Sequence, residues 1–260
     1  MKRLYYRGEL RSCNYHCKYC PFANSFSRRD ITNDSITLFR FCHRAIELGV
    51  EEVIFTPYGE AMIHTYYWDA MEVLSGLHRI GCQTNLSFDT ESFVSQVGNF
   101  KEKIGLWCTF HPAQVSIEAF LKKCHYLWDN GIYISTGAVG IPQNLEILRE
   151  LRLKLNKDIY FWINAKAGYS YNHSEHDAFL KIDPYFQDQF PKANSLLCTA
   201  GRTGLYVEAD GSAYACHLSR VRLGNIYEEL PSGSACKAKT CNCYLAYTHR
   251  QDMGKKSVRI

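Results

Sequence analysis

Cys13-Asn14-Tyr15-His16-Cys17-Lys18-Tyr19-Cys20 sets three cysteines in a C-x3-C-x2-C loop. Thiolates at that spacing can hold three corners of an iron–sulfur cube and leave the fourth open. Four cysteines make an electron carrier, whereas three leave one iron able to bind a ligand, so the missing thiolate points to chemistry at the cluster. Closely spaced cysteines also suit tetrahedral zinc, which here would want a fourth ligand such as His16 or Cys42. The loop follows the strand-like run Leu4-Tyr5-Tyr6-Arg7-Gly8-Glu9-Leu10, and the aromatic Tyr19 stands just before its third cysteine.

Outward from the loop, composition sets the bounds. With 260 residues, 46% of them hydrophobic, the chain can bury a large core and fits one sizeable domain plus a small appendage. Its 12 cysteines suit either a disulfide framework in a secreted protein or metal and cluster ligation in a reducing cytosol. The start, Met1-Lys2-Arg3-Leu4-Tyr5-Tyr6-Arg7, lacks the apolar core and small-residue cleavage site of a signal peptide, so a cytoplasmic location is expected. No stretch approaches the roughly 20 apolar residues that span a bilayer, and no membrane partner is expected. A net charge of +4 selects no partner.

Short apolar runs alternate with helical patterns along most of the chain. Residues 31–48 read as a helix stopped by Gly49, and 53–55 as a strand. Residues 66–77 look helical, 82–86 strand-like, and 90–97 helical again. Residues 105–110 are a strand, 116–129 a helix with Ser116 as N-cap, and 132–136 a strand introduced by Gly131. Residues 145–155 and 159–164 add a further helix and strand. Six strands with intervening helices imply a parallel βα array whose ligands sit at the carboxyl ends of the strands.

On the cysteine loop and its place after the first strand, the chain resembles the radical S-adenosylmethionine superfamily. The resemblance implies an α/β fold, a partial (β/α)6 barrel over residues 1–185. It further implies a four-iron four-sulfur cluster on Cys13, Cys17 and Cys20, with S-adenosylmethionine chelating the open iron. Reduction would cleave the sulfonium to a 5'-deoxyadenosyl radical, the electron coming from a flavodoxin or ferredoxin. The segment Phe55-Thr56-Pro57-Tyr58-Gly59-Glu60-Ala61 resembles the family's Gly-Gly-Glu-Pro motif, keeping Gly59 and Glu60 and departing at Tyr58 and Ala61. The other positions that the resemblance assigns to the cofactor are Tyr19, Thr84, Asn85, Thr136, Gly137, Ile163 and Asn164. Core or loop packing is the plain alternative for Thr136 and Ile163.

After Pro191 the composition shifts. Residues 204–216 read as a hairpin with Asp210-Gly211 at its turn, framed by Cys198 and Cys216 and followed by Cys236, Cys241 and Cys243. This arrangement resembles the twitch or truncated SPASM extension of the same superfamily, a small α+β domain over residues 186–260. The resemblance implies an auxiliary cluster held by four of those five cysteines, and a zinc knuckle is the competing reading. The cysteines of a second auxiliary cluster are absent from the sequence.

Cys42, Cys82, Cys108 and Cys124 lack ligand-like spacing and read as small buried apolar groups. His111 follows the fourth strand and is the candidate catalytic residue, against the usual structural role of a lone histidine. Lys237, Lys239, Arg250, Lys255, Lys256 and Arg259 make the tail basic, read as a solvated terminus rather than a dock for an acidic electron donor. No motif supports nucleic-acid binding. Relatives with such an extension oxidatively modify peptide or protein side chains, while others dehydrogenate small molecules such as amino sugars. A non-catalytic zinc-binding or electron-transfer protein is the reading of another class.

Overall fold

Six apolar strands alternate with helices because a parallel pair cannot be joined by a tight turn and needs a crossover. The computed structural model describes residues 2–20, 22, 28–188, 198–218, 221–228 and 241. Cys236, Cys243 and the basic tail lie outside these residues. Strands β1 (Arg3–Tyr6), β2 (Glu52–Phe55), β3 (Arg79–Thr84), β4 (Ile104–Phe110), β5 (Tyr133–Gly140) and β6 (Phe161–Ala165) pair in parallel with their sequence neighbours. The helices between them are α1 (Arg28–Glu47), α2 (Thr65–Val73), α3 (Thr90–Val97), α4 (Ile117–Asp129) and α5 (Leu145–Lys154).

The caps are those expected from the residue types. Ser116 accepts from the Ala119 amide at 3.2 Å at the start of α4, and Gly49 ends α1 with φ +63°. A sixth helix, α6 (His173–Leu180), was not anticipated. Its signal was present as a capping box: Asn172 accepts from the Glu175 amide while Glu175 accepts from the Asn172 amide.

Period-2 alternation divides each strand between two buried faces. Leu4 and Tyr6, Val53 and Phe55, Ile80 and Cys82, Leu106 and Cys108, Ile134 and Ala138, and Phe161 and Ile163 belong to the main core with the helices. All four cysteines assigned no ligand role, Cys42, Cys82, Cys108 and Cys124, are fully buried there. Tyr5, Ile54, Trp107 and Trp162 occupy the other face and form a second cluster with Tyr206. Trp107 and Trp162 stack at 4.6 Å across the intervening strand β5. The two rings meet over Gly137 of β5, which has no side chain to part them.

The residues after Cys198 extend this same sheet. β7 (Gly204–Val207) lies parallel to β1 on its free side, and β8 (Ser212–Tyr214) and β9 (Arg222–Asn225) continue antiparallel. The β7–β8 hairpin turns at Asp210-Gly211. Gly211 has φ +83°, and a Cβ there would lie 2.3 Å from the Tyr227 ring.

Candidate functional site

Because the strands are parallel, the loops that follow them gather at one end of the sheet, and the cysteine loop leaves β1 at that end. A buried carboxylate on α1 sets its path. Asp34 accepts from the backbone amides of Glu9 (2.8 Å) and Leu10 (3.1 Å) and from the hydroxyls of Tyr66 (3.0 Å) and Tyr67 (2.8 Å). Burial pushes the Asp34 carboxyl up while these donors pull it down. Gly8 makes the turn at φ +68°, where a Cβ would come within 2.4 Å of the Asp34 carboxylate. No pattern in the sequence distinguishes Asp34 from an ordinary polar residue of an amphipathic helix.

The loop after β2 is laced to this segment. The Gly59 amide donates to Leu10 O and the Glu60 amide to Ser12 O, both at 2.9 Å. A Cβ on Gly59 would sit 2.0 Å from Ser12 O, so only glycine lets the two backbones approach. Tyr58, which departs from the family pattern, lies between two guanidinium groups, Arg7 at 4.5 Å and Arg11 at 4.6 Å from its ring centre.

Glu60 ties the β2 loop to the end of β3. Its buried carboxylate accepts from Thr84 Oγ1 (2.6 Å), the Asn85 amide (2.5 Å) and the Met62 amide (3.1 Å). Burial raises its pKa to about 7 against the pull of those hydrogen bonds. The chain then passes through Leu86 at φ +62°, a left-handed conformation that a branched apolar residue adopts only under constraint. Asn85, held by this turn, donates its side-chain amide to Asn14 Oδ1 at 3.1 Å and reaches Cys13 Sγ at 3.8 Å.

The thiols therefore meet N–H donors from several elements. Cys13 Sγ also accepts from the Tyr15 amide at 3.4 Å, and Cys17 Sγ lies 3.3 Å from His111 Nδ1. In this chain burial pushes the Cys17 thiol up to about 11 and the His111 imidazole down to about 4, leaving the imidazole neutral. Among the described residues no three His, Cys, Asp or Glu side chains converge as ligands of one ion. Thiolates that hold a cube are tuned by hydrogen bonds to sulfur, and the amides at Cys13 and the imidazole beside Cys17 suit that need.

The fold brings Tyr19, Gly59, Glu60, Thr84, Asn85 and His111 to the cysteine loop. His111, expected to face a substrate, faces the loop: its Nδ1 is 2.7 Å from the Tyr19 hydroxyl. Thr136 and Ile163 stand on the helix side of the sheet, where Ile163 packs in the main core and Thr136 is fully buried. The opposite face at those registers belongs to their neighbours Gly137 and Asn164. The glycine at 137 has an internal reason, since a Cβ there would meet the Trp162 ring at 2.2 Å. Beside it, Ser135 Oγ and Trp162 Nε1 are buried without a hydrogen-bond partner among the described residues.

In the extension, Cys198 leads into β7 and Cys216 follows β8, at the open end of one hairpin. Past Cys216 the His217 ring lies 6.2 Å from that of Tyr206, a member of the second cluster. Tyr206 in turn accepts from Arg7 Nε at 2.5 Å. Cys241 is half-buried.

No protein-family model and no curated protein sequence matches the chain. Solved structures are similar. Streptococcus suis SuiB bound to S-adenosylmethionine aligns with a TM-score of 0.62 at 16% identity, over 88% of this chain and 64% of SuiB. SuiB bound to its precursor peptide SuiA gives 0.63 at 16% identity, over 87% and 62%. The enzyme anSMEcpe with bound AdoMet and Cp18Cys peptide gives 0.58 at 14% identity, over 87% and 77%. The chain thus spans less than two thirds of SuiB. At these identities the likeness is one of fold: a mixed α/β sheet matching the structures of radical S-adenosylmethionine enzymes. Among the described residues no helix is long and apolar enough to cross a membrane.

Proposed function

We propose that this chain is a radical S-adenosylmethionine enzyme that modifies a peptide or protein side chain by hydrogen-atom abstraction. The observation that carries the reading is the lacing of the Gly59-Glu60 loop onto residues 10–12, one position before Cys13, with Asn85 drawn by Glu60 to the Cys13 sulfur. Three cysteines in one loop leave an iron open for a bound group, and Gly59 lets the next strand-end loop pack against the backbone of that segment.

In this reading Cys13, Cys17 and Cys20 hold the cluster, and the backbone around Gly59 receives the cofactor's amino group. When bound, the cluster and S-adenosylmethionine would supply the hard chemistry of the reaction, a 5'-deoxyadenosyl radical. Glu60 keeps the β3 end and the loop in register, while Trp107 and Trp162 stack on the sheet face opposite the main core. Ser135 Oγ and Trp162 Nε1 offer polar contacts on that face. A peptide substrate is supported by the two neighbours bound to peptides. Four of Cys198, Cys216, Cys236, Cys241 and Cys243 would hold an auxiliary cluster, which would supply an electron acceptor or a binding point for the substrate. A flavodoxin or ferredoxin is the electron donor.

Anaerobic reconstitution tests this. Iron near eight per chain, about four for each of two cubes, and dithionite-dependent release of 5'-deoxyadenosine are expected. Zinc in both sites, or a loaded cluster with no cofactor cleavage, overturns the reading.

A further inference from the structure

His111 follows β4, an element remote in sequence from the cysteine loop, and grips that loop at three points. Its Nδ1 lies 3.3 Å from Cys17 Sγ and 2.7 Å from the Tyr19 hydroxyl. Its ring is near-parallel to Tyr19 at 6.0 Å and edge-on to Tyr15 at 5.7 Å, so two aromatic rings of the loop flank it. Three residues on, Gln114 Oε1 accepts from the His16 amide at 3.2 Å, while the Gln114 amide donates to His111 O at 2.9 Å. A turn at the end of β4 thus holds both the backbone and a sulfur of the loop.

We propose that His111 is a positioning residue whose single Nδ1–H is shared between the Cys17 thiolate and the Tyr19 oxygen, the Tyr19 hydroxyl donating in turn to Cys17, and that it thereby raises the reduction potential of the cluster on this loop. The proposal rests on the reading of Cys13, Cys17 and Cys20 as cluster ligands. A ligating thiolate has no proton and accepts only, so the groups that satisfy Cys17 must be donors. Nδ1–H and the Tyr19 hydroxyl are the two polar groups gathered there, the hydroxyl itself within hydrogen-bond reach of Cys17. Donors to a cluster sulfur stabilise the more negative, reduced form, and their loss makes reduction harder. His111 makes and breaks no covalent bond in this role.

The test is a spectroelectrochemical titration of the anaerobically reconstituted full chain with its variants. His111→Leu is expected to bind iron and sulfide as the parent does, with a more negative potential and an altered electron paramagnetic resonance signal of the reduced cluster. His111→Asn puts an amide donor where Nδ1 stood and should return the potential toward the parent value. Tyr19→Phe should shift it in the same direction as His111→Leu, by less, and decides the matter if His111→Leu does not fold. Loaded variants whose potential and spectrum equal the parent's overturn the proposal while leaving the functional reading intact. A parent chain that takes up no cluster overturns both.

Discussion

Glu60 illustrates how one buried side chain is asked to do two opposed things. Three donors favour its carboxylate and complete burial opposes it, leaving a pKa of about 7 against an ordinary 4.5. The sign follows from linkage: between those values the folded chain binds the proton that the unfolded chain has released. Its stabilising contribution is complete below pH 4.5 and lost as pH rises through 7, about 3 kcal/mol at the limit. Denaturant unfolding of the metal-free chain should therefore show stability falling over that window, and Glu60→Gln should flatten the fall. Above pH 7, where Glu60 is the acceptor-only carboxylate, the same variant turns one acceptor into a donor facing the Asn85 amide or Thr84 hydroxyl and should cost about 1–3 kcal/mol. Gly59→Ala is the sharper residue-level change. With its new Cβ against Ser12 O, it should unlace the two loops and lower iron retention after reconstitution, measured on soluble protein.

At the scale of elements, α6 is a helix made by its cap. Its apolar face is short, with only Ala178 and Phe179 buried, so the Asn172–Glu175 box carries much of its definition. Asn172→Ala should cost about 1 kcal/mol in chemical unfolding and leave cluster content unchanged. The sheet strands were easier to find than to orient. Thr136 and Ile163 were expected at the cofactor and stand one residue from the face that Gly137 and Asn164 occupy. A strand buried on both faces carries no polar alternation to say which side is inward, and an error of one residue reverses every side chain.

At the scale of the molecule, Arg7, just past β1, ties β7 to the loop after β2. The residue is 3% exposed, its guanidinium hydrogen-bonded to Tyr206 on β7 and set over the Tyr58 ring of the β2 loop. Arg7→Leu should destabilise by about 2–4 kcal/mol, read as a lower denaturant midpoint. The division between the two cysteine groups has its own test. Cys13→Ala should abolish 5'-deoxyadenosine formation, whereas Cys216→Ala should spare uncoupled cleavage while product is lost. Equal loss in both would argue against separate roles.

The sequence by itself determined the local events: the C-x3-C-x2-C loop, the glycine before Glu60, the Ser116 cap, the Asp210-Gly211 turn and six strands in alternation with helices. Each rests on neighbours within a few positions, whose backbone preferences and spacing act before any tertiary contact forms. Only the tertiary structure decided that β7 runs parallel to β1 about 200 residues away, that Asp34 steers the cysteine loop, and that His111 turns to Cys17 and Tyr19. Those outcomes depend on which surfaces meet once the sheet curves. Burial and hydrogen bonding between distant segments settle that, and no local pattern encodes it.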